Sequence, residues 1–193
     1  LEKMPPRRPV VFVPGFMGSQ LWLGSERVWP NVKFMIKEPH RAIYGENSQI
    51  VARGIVDEVV VVPNLIKVDA YKRAGDYMVE DLGYERGKDF FEFAYDWRQD
   101  VRRSAALLGQ MIDSLALTQP VIVIAHSMGT LVSRYYIERL GGKNKVERAV
   151  LMGGPHQGVP RALVSLLAAP EGLPFGLIGE RIRPVIATFP SCY

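Results

Sequence analysis

The chain has 193 residues, 48% of them hydrophobic, and a mean hydropathy of +0.02, which suits one domain with a sizeable core. Its formal net charge of +4 is a mild, dispersed basic excess, so nucleic acid is not an expected partner; a solvated basic face accounts for the charge, and contact with an anionic lipid surface is compatible with it. The single cysteine, Cys192, excludes an internal disulfide, no apolar run is long enough to span a bilayer, and neither a leader nor a compartment is indicated.

The apolar run at residues 10–13 predicts a buried strand, broken by Pro14-Gly15, with Gly18 keeping the next loop compact. A glycine-rich loop after such a strand can offer backbone N–H groups to an anion. Residues 21–50 read as irregular, with Trp22, Trp29, Phe34, Met35 and Ile36 scattered among Gly24, Pro30, Pro39 and Gly45. Such side chains are either satellites of the core or a mobile apolar flap that meets lipid. Residues 54–63 read as extended and end at a proline. Residues 69–82 read as a helix with Asp69 as N-cap and with Tyr71, Ala74, Tyr77, Met78 and Leu82 on one face. A strand is expected over residues 90–95. An amphipathic helix follows over residues 102–117, with Val101, Ala105, Leu108, Ile112 and Leu115 inward.

Residues 120–140 organise the rest. A β-branched run at 121–124 predicts a fully buried strand, and Met128, Leu131, Val132, Tyr135 and Tyr136 recur at helical spacing. Between them lies Ala125-His126-Ser127-Met128-Gly129. A strand that becomes a helix within so few residues must bend sharply, and small residues two before and two after Ser127 let the elements pass. The serine is then lifted out at the carboxyl edge of the sheet, near a helix N-terminus that favours developing negative charge. This is the pattern of a nucleophile elbow, with Ala125 in place of the usual first glycine. The backbones of Phe16 (or Met17, one later) and Met128 are then the candidate oxyanion donors. The plain alternative is a strand–helix turn in which Ser127 merely caps the helix.

Gly141-Gly142 ends that helix, residues 146–152 predict another strand, and the apolar, punctuated stretch from residue 157 to about 190 suits a cap or lid. Strands alternating with helices imply an α/β chain, a parallel sheet with helices on both faces. Ligands of such sheets bind at the carboxyl ends of the strands, where Ser127 and the Phe16 loop both lie.

Four motifs in this order resemble the lecithin:cholesterol acyltransferase family of α/β-hydrolases: Pro14-Gly15-Phe16-Met17-Gly18-Ser19, Tyr95-Asp96-Trp97-Arg98, Ala125-His126-Ser127-Met128-Gly129 and Gly154-Pro155-His156-Gln157-Gly158. The resemblance covers most of the chain. It implies a single α/β-hydrolase domain over residues 1–193, incomplete at its C-terminus. It implies Ser127 as nucleophile, Phe16 and Met128 at the oxyanion hole with Met17 second to Phe16, and a lipid ester or phospholipid substrate. Residues 20–50 would correspond to a membrane-contacting insertion, in which secreted members carry a disulfide that this chain cannot form. No metal or other cofactor is expected, and the resemblance is silent on oligomeric state.

The triad is incomplete. α/β-hydrolases supply it in the order serine, acid, histidine. No aspartate follows Ser127; the glutamates that do are Glu138, Glu147, Glu171 and Glu180. Only His156 follows as a candidate base, and it stands too early, in a loop or lid position. His126 is expected to point away from its neighbour, and Asp96 to organise the strand end by pairing with Arg98. The chain is therefore expected to be the N-terminal part of a longer enzyme that hydrolyses or transfers a lipid acyl group. The alternative is a non-catalytic module that binds a lipid surface or a partner on the same scaffold.

Overall fold

The computed structural model describes residues 7–45, 47–62, 66–69, 71–160 and 179–192. Its central sheet has four strands in the order β7 (Phe90–Glu92), β1 (Val10–Val13), β8 (Val121–His126) and β9 (Val146–Met152), and every pairing is parallel. A strand covered on both faces needs apolar side chains at each position, and all four residues of β1 are buried. Val11 and Val13 face a core shared with Val123, Ala125 and the helices α3 (Val101–Ser114) and α4 (Met128–Arg139). Val10 and Phe12 face a second core with Phe90, Met78, Ile122 and Ile124. Helix α3 is capped by Asp100, which accepts from the Arg102 backbone at 2.7 Å. Its Ala105, Leu108 and Ile112 are buried as the spacing predicts, and Gly109 admits the ring of Tyr136 from α4.

The segment between β1 and β7 corrects the sequence reading. Residues 21–50 are not irregular. β2 (Ser19–Leu23), β3 (Glu26–Trp29) and β4 (Ile50–Ile55) form an antiparallel sheet in the order β3-β2-β4, and α1 (Val32–Lys37) with a tight turn at Pro39–Ala42 fills the gap. Leu21, Trp29, Phe34, Ala42 and Ile50 join the main core, as satellites should. The extended stretch expected over 54–63 is divided between β4 and β5 (Glu58–Val62), and β5 pairs with β6 (Ile66–Asp69) in a separate hairpin.

The helix expected over 69–82 is shorter and differently faced. Asp69 closes β6, and α2 (Lys72–Asp76) begins after Tyr71 and widens into a π-type turn over Tyr77–Asp81. Gly75 and Met78 are buried while Tyr77 and Leu82 are exposed, and the extra residue of the π-type turn acts only on the positions after it, such as Leu82. β7 stops after three residues. Phe93 still donates to the Phe12 carbonyl at 2.9 Å, and then the chain turns Tyr95 and Trp97 into the core.

At the far edge of the sheet, Val150, Leu151 and Met152 of β9 are 42%, 39% and 40% exposed. Successive strand residues point to opposite faces, so both faces of this edge are bare among the described residues. The greater part of the expected cap, residues 161–178, lies outside the described residues. Beyond it α5 (Gly179–Ile186) packs Ile182 and Val185 on the main core, followed by Phe189.

Candidate active site

Strand β8 ends at His126 and α4 begins at Met128, which leaves Ser127 alone to make the bend, with φ 51° and ψ −126°. A residue with a Cβ reaches this region only at a cost of about 1–3 kcal/mol, held by the structure around it. That structure is close packed. A Cβ on Gly129 would lie 2.5 Å from the carbonyl oxygens of both Val13 and Pro14, so α4 starts against the end of β1 with no room for a side chain. Ala125 is fully buried and pairs in register with Val13 on one side and Leu151 on the other, a site where one methyl fits. Gly129→Ala is therefore expected to destabilise the fold by about 1–3 kcal/mol through overpacking. Equilibrium denaturant unfolding checks it.

The loop after β1 meets this elbow. β1 and β8 are neighbours, and a Cβ on Gly15 would lie 2.8 Å from Ser127 Cβ. Four aromatic side chains hold the loop by their polar tips. Gly15 N–H donates to the Tyr71 hydroxyl at 2.8 Å, and the Tyr95 hydroxyl donates to the Pro14 carbonyl at 2.8 Å. The Trp29 indole donates to the Met17 carbonyl at 2.8 Å and the Trp97 indole to the Ser19 carbonyl at 3.0 Å. Gly18 N–H returns to the Gly15 carbonyl at 3.0 Å, closing a turn whose third residue, Met17, takes φ 60°. Of the loop's backbone donors this leaves the N–H groups of Phe16 and Met17. On the elbow side Ser127 N–H is occupied by the Met152 carbonyl at 2.9 Å, whereas Met128 opens α4, where an N–H has no intrahelical acceptor. Ser127 Oγ makes no capping bond to the helix, and it lies 3.3 Å from where a Cβ on Gly15 would stand, so the loop and the elbow are in contact at the serine.

The family model of lecithin:cholesterol acyltransferase matches residues 64–178, more than half of the chain. The chain belongs to the lecithin:cholesterol acyltransferase family. It is 30% identical to the lysosomal phospholipase A and acyltransferase of Homo sapiens, over 93% of this chain and 55% of that protein. The Bos taurus protein of the same name is also 30% identical, over 81% of this chain and 49% of that one. Phospholipid:diacylglycerol acyltransferase 1 of Arabidopsis thaliana is 28% identical over 87% of this chain and 31% of that one. The chain thus spans about half the length of the lysosomal relatives it matches. A mature lipase of Bacillus licheniformis superposes with a TM-score of 0.53 at 18% identity, over 99% of this chain and 58% of that one. The chain has the α/β-hydrolase fold.

Within the family's Tyr-Asp-Trp-Arg motif, each residue has a visible task. Tyr95 and Trp97 hold the loop, and Asp96 pairs with Arg98 at 2.7 Å as expected. Burial pushes the Tyr95 phenol far above its ordinary pKa, so it stays a donor. The motif says nothing of Tyr71, which sequence reasoning missed as a site residue. Its hydroxyl also lies 2.9 Å from His126 Nδ1, which gives that imidazole a partner other than Ser127.

None of the remaining acid and base candidates among the described residues is hydrogen-bonded to Ser127. Glu138 pairs with Arg134 and Glu147 with Arg8, both in exposed positions. Glu171 and the side chain of Glu180 lie outside the described residues. His156 sits in the turn after β9, its N–H donating to the Gly154 carbonyl at 2.9 Å and its Nε2 2.6 Å from where a Cβ on Gly154 would stand. Among the described residues no histidine or carboxylate is hydrogen-bonded to Ser127, and no group of three metal-ligating side chains occurs. No described helix is long and apolar enough to cross a membrane.

Proposed function

We propose that this chain carries the nucleophile and oxyanion hole of a serine enzyme that cleaves or transfers an acyl group of a lipid ester. The observation that carries the reading is Ser127 at positive φ between β8 and α4, with the loop after β1 against it. Ser127 Oγ attacks the ester carbonyl, and the N–H groups of Phe16 and Met128 receive the charge that forms on its oxygen. Met17 is the second choice on the loop side, its carbonyl already fixed by Trp29. The alcohol leaves, and water or an acceptor alcohol takes the acyl group from the serine.

A serine hydroxyl needs a base, and the base an orienting acid. No aspartate follows Ser127, and the relatives are about twice as long as this chain, so we place both partners outside these 193 residues. The bare edge of β9 is where further strands carrying them would pair. The relatives named for phospholipase and acyltransferase activity support a phospholipid or related ester as substrate. Residues 20–50 and 157–190 remain the candidates for lipid contact and cap; in the first of these Ile43 is an exposed apolar side chain.

The test is a fluorophosphonate probe on the full-length protein, followed by product analysis with and without an alcohol acceptor. Labelling at Ser127 with free fatty acid as product indicates a hydrolase, and ester formed only with acceptor indicates a transferase. Absence of labelling favours the non-catalytic lipid-binding module. In the unmodified full-length protein Gly15→Ala, which forces the loop off Ser127, is expected to lower kcat by about 10²-fold with little change in KM, since a displacement near 1 Å costs that much. Steady-state kinetics on a short-chain ester measure it.

A further inference from the structure

Tyr71 lies outside the four motifs named above, yet its hydroxyl joins the two halves of the site. Gly15 N–H donates to it from the oxyanion loop at 2.8 Å, and His126 Nδ1, next to the nucleophile, lies 2.9 Å away. A phenol has one proton to give and two lone pairs. Gly15 N–H takes one lone pair, and the bond to His126 forms in either imidazole tautomer: the phenol donates to Nδ1 of the Nε2–H form, or its second lone pair accepts from an Nδ1–H. The ring is held in place as well. It packs edge-on against Phe12 of β1 at 5.2 Å and against His126 at 5.8 Å. Gly18 makes room for it, since a Cβ there would stand 2.8 Å from Tyr71 Cε2.

We propose that Tyr71 is a positioning residue for acyl transfer, a bridge that fixes the Phe16 amide relative to Ser127 by tying Gly15 to His126. The proposal rests on the acyl-transfer reading above and adds to it a residue that touches neither substrate nor reacting atoms. Two facts make the bridge fit this task. Phe16, the amide of interest, is the next residue after Gly15, so a shift of the Gly15 nitrogen is a shift of the donor. And His126 precedes Ser127, so the other end of the bridge is anchored on the strained bend itself. Burial raises the phenol pKa above its ordinary value, which keeps the hydroxyl protonated.

The full-length protein tests this with Tyr71→Phe, which keeps the ring contacts and removes only the hydroxyl. Expected are a fall in kcat on a short-chain p-nitrophenyl ester of about 10–100-fold, part of what a whole oxyanion donor is worth, with KM nearly unchanged and fluorophosphonate labelling of Ser127 slowed in parallel. His126→Ala, on the exposed side of the bridge, should match Tyr71→Phe. His126→Asn, which restores an acceptor near Nδ1, should recover most of that loss. The double variant Tyr71→Phe/His126→Ala should be no worse than either single, as for two ends of one link. A purely structural tyrosine would instead lower the melting temperature and leave kcat alone. Wild-type kcat and labelling in Tyr71→Phe, a change in KM only, or additive losses in the double variant overturn the bridge. Wild-type protein that is not labelled at Ser127 overturns the acyl-transfer reading beneath it, so the two failures are told apart.

Discussion

Ser127→Ala in the full-length protein is expected to lower kcat by about 10⁴–10⁶-fold and to abolish fluorophosphonate labelling, while the melting temperature stays close to wild type. The hydroxyl is spared from structural duty. It makes no capping bond to α4, whose first turn is served instead by Ser127's own carbonyl, accepting from Thr130 N at 3.0 Å and Thr130 Oγ1 at 2.7 Å. The Ser127 amide is held by Met152. Removing Oγ therefore takes nothing from the fold, and the whole effect falls on chemistry. Ser127→Gly separates strain from chemistry further. Glycine takes positive φ freely, so this variant should be more stable than Ser127→Ala by about 1 kcal/mol in denaturant unfolding, and equally inactive. A Ser127→Ala enzyme with near wild-type kcat would remove the serine from the mechanism. A Ser127→Gly protein less stable than Ser127→Ala would show that the bend stores no strain.

The sequence made the elbow legible because its determinants are local. An apolar run, a small residue, a serine and a glycine within nine positions already demand a sharp turn, and the next strand and helix follow from their own periodicities. The antiparallel sheet over residues 19–55 was not legible. Its strands are four to six residues long, broken by Gly24 and Pro30, and β2 finds β4 far along the chain through pairings such as Leu23 with Ile50. Short strands show too little alternation to be told from loops. A 3.6-residue period counted from Asp69 places Tyr77 and Leu82 on one face, but α2 starts only at Lys72 and the period breaks at the π-type turn over Tyr77–Asp81, and both side chains are exposed. Tyr71 was visible as a residue but not as a site residue, since its partners lie 55 and 56 positions away. The same holds for the aromatic side chains around the oxyanion loop. Trp29, Tyr95 and Trp97 each hold a backbone carbonyl of residues 14–19 from afar, and no local pattern encodes such a bond.

Arg98→Met is expected to destabilise the protein by about 3–5 kcal/mol, the cost of breaking a buried ion pair by removing one partner. The guanidinium is fully buried, and its five donors are all used. Nε and Nη2 take the two oxygens of Asp96 at 2.9 and 2.7 Å, Nη1 reaches the carbonyls of Ala42 and Ile43 at 3.0 and 3.3 Å, and Nη2 also reaches Ser48 Oγ at 3.1 Å. Its own carbonyl accepts from Ser191 N–H at 3.2 Å. The side chain thus joins the strand end to the turn at Pro39–Ala42 and to Ser48, and the backbone of the same residue holds the segment before Cys192. Methionine would fill the volume but leave the Asp96 carboxylate only the backbone N–H of residue 98, at 3.1 Å, and take the donor from the buried Ala42 carbonyl, which is why removal of one partner costs more than removal of both. Arg98→Met/Asp96→Leu should accordingly recover part of the loss. Arg98→Lys, with a point charge in place of a planar fork, should fall between wild type and Arg98→Met. Denaturant unfolding ranks the set. The loss should reach the site as well, because Asp96 stands between Tyr95 and Trp97, whose polar tips hold Pro14 and Ser19 on either side of the oxyanion loop. In Arg98→Lys, kcat should drop at temperatures well below the melting transition while Ser127 still labels. Equal stability of Arg98→Met and wild type, or a double variant worse than Arg98→Met, would show that the guanidinium does not hold these segments together.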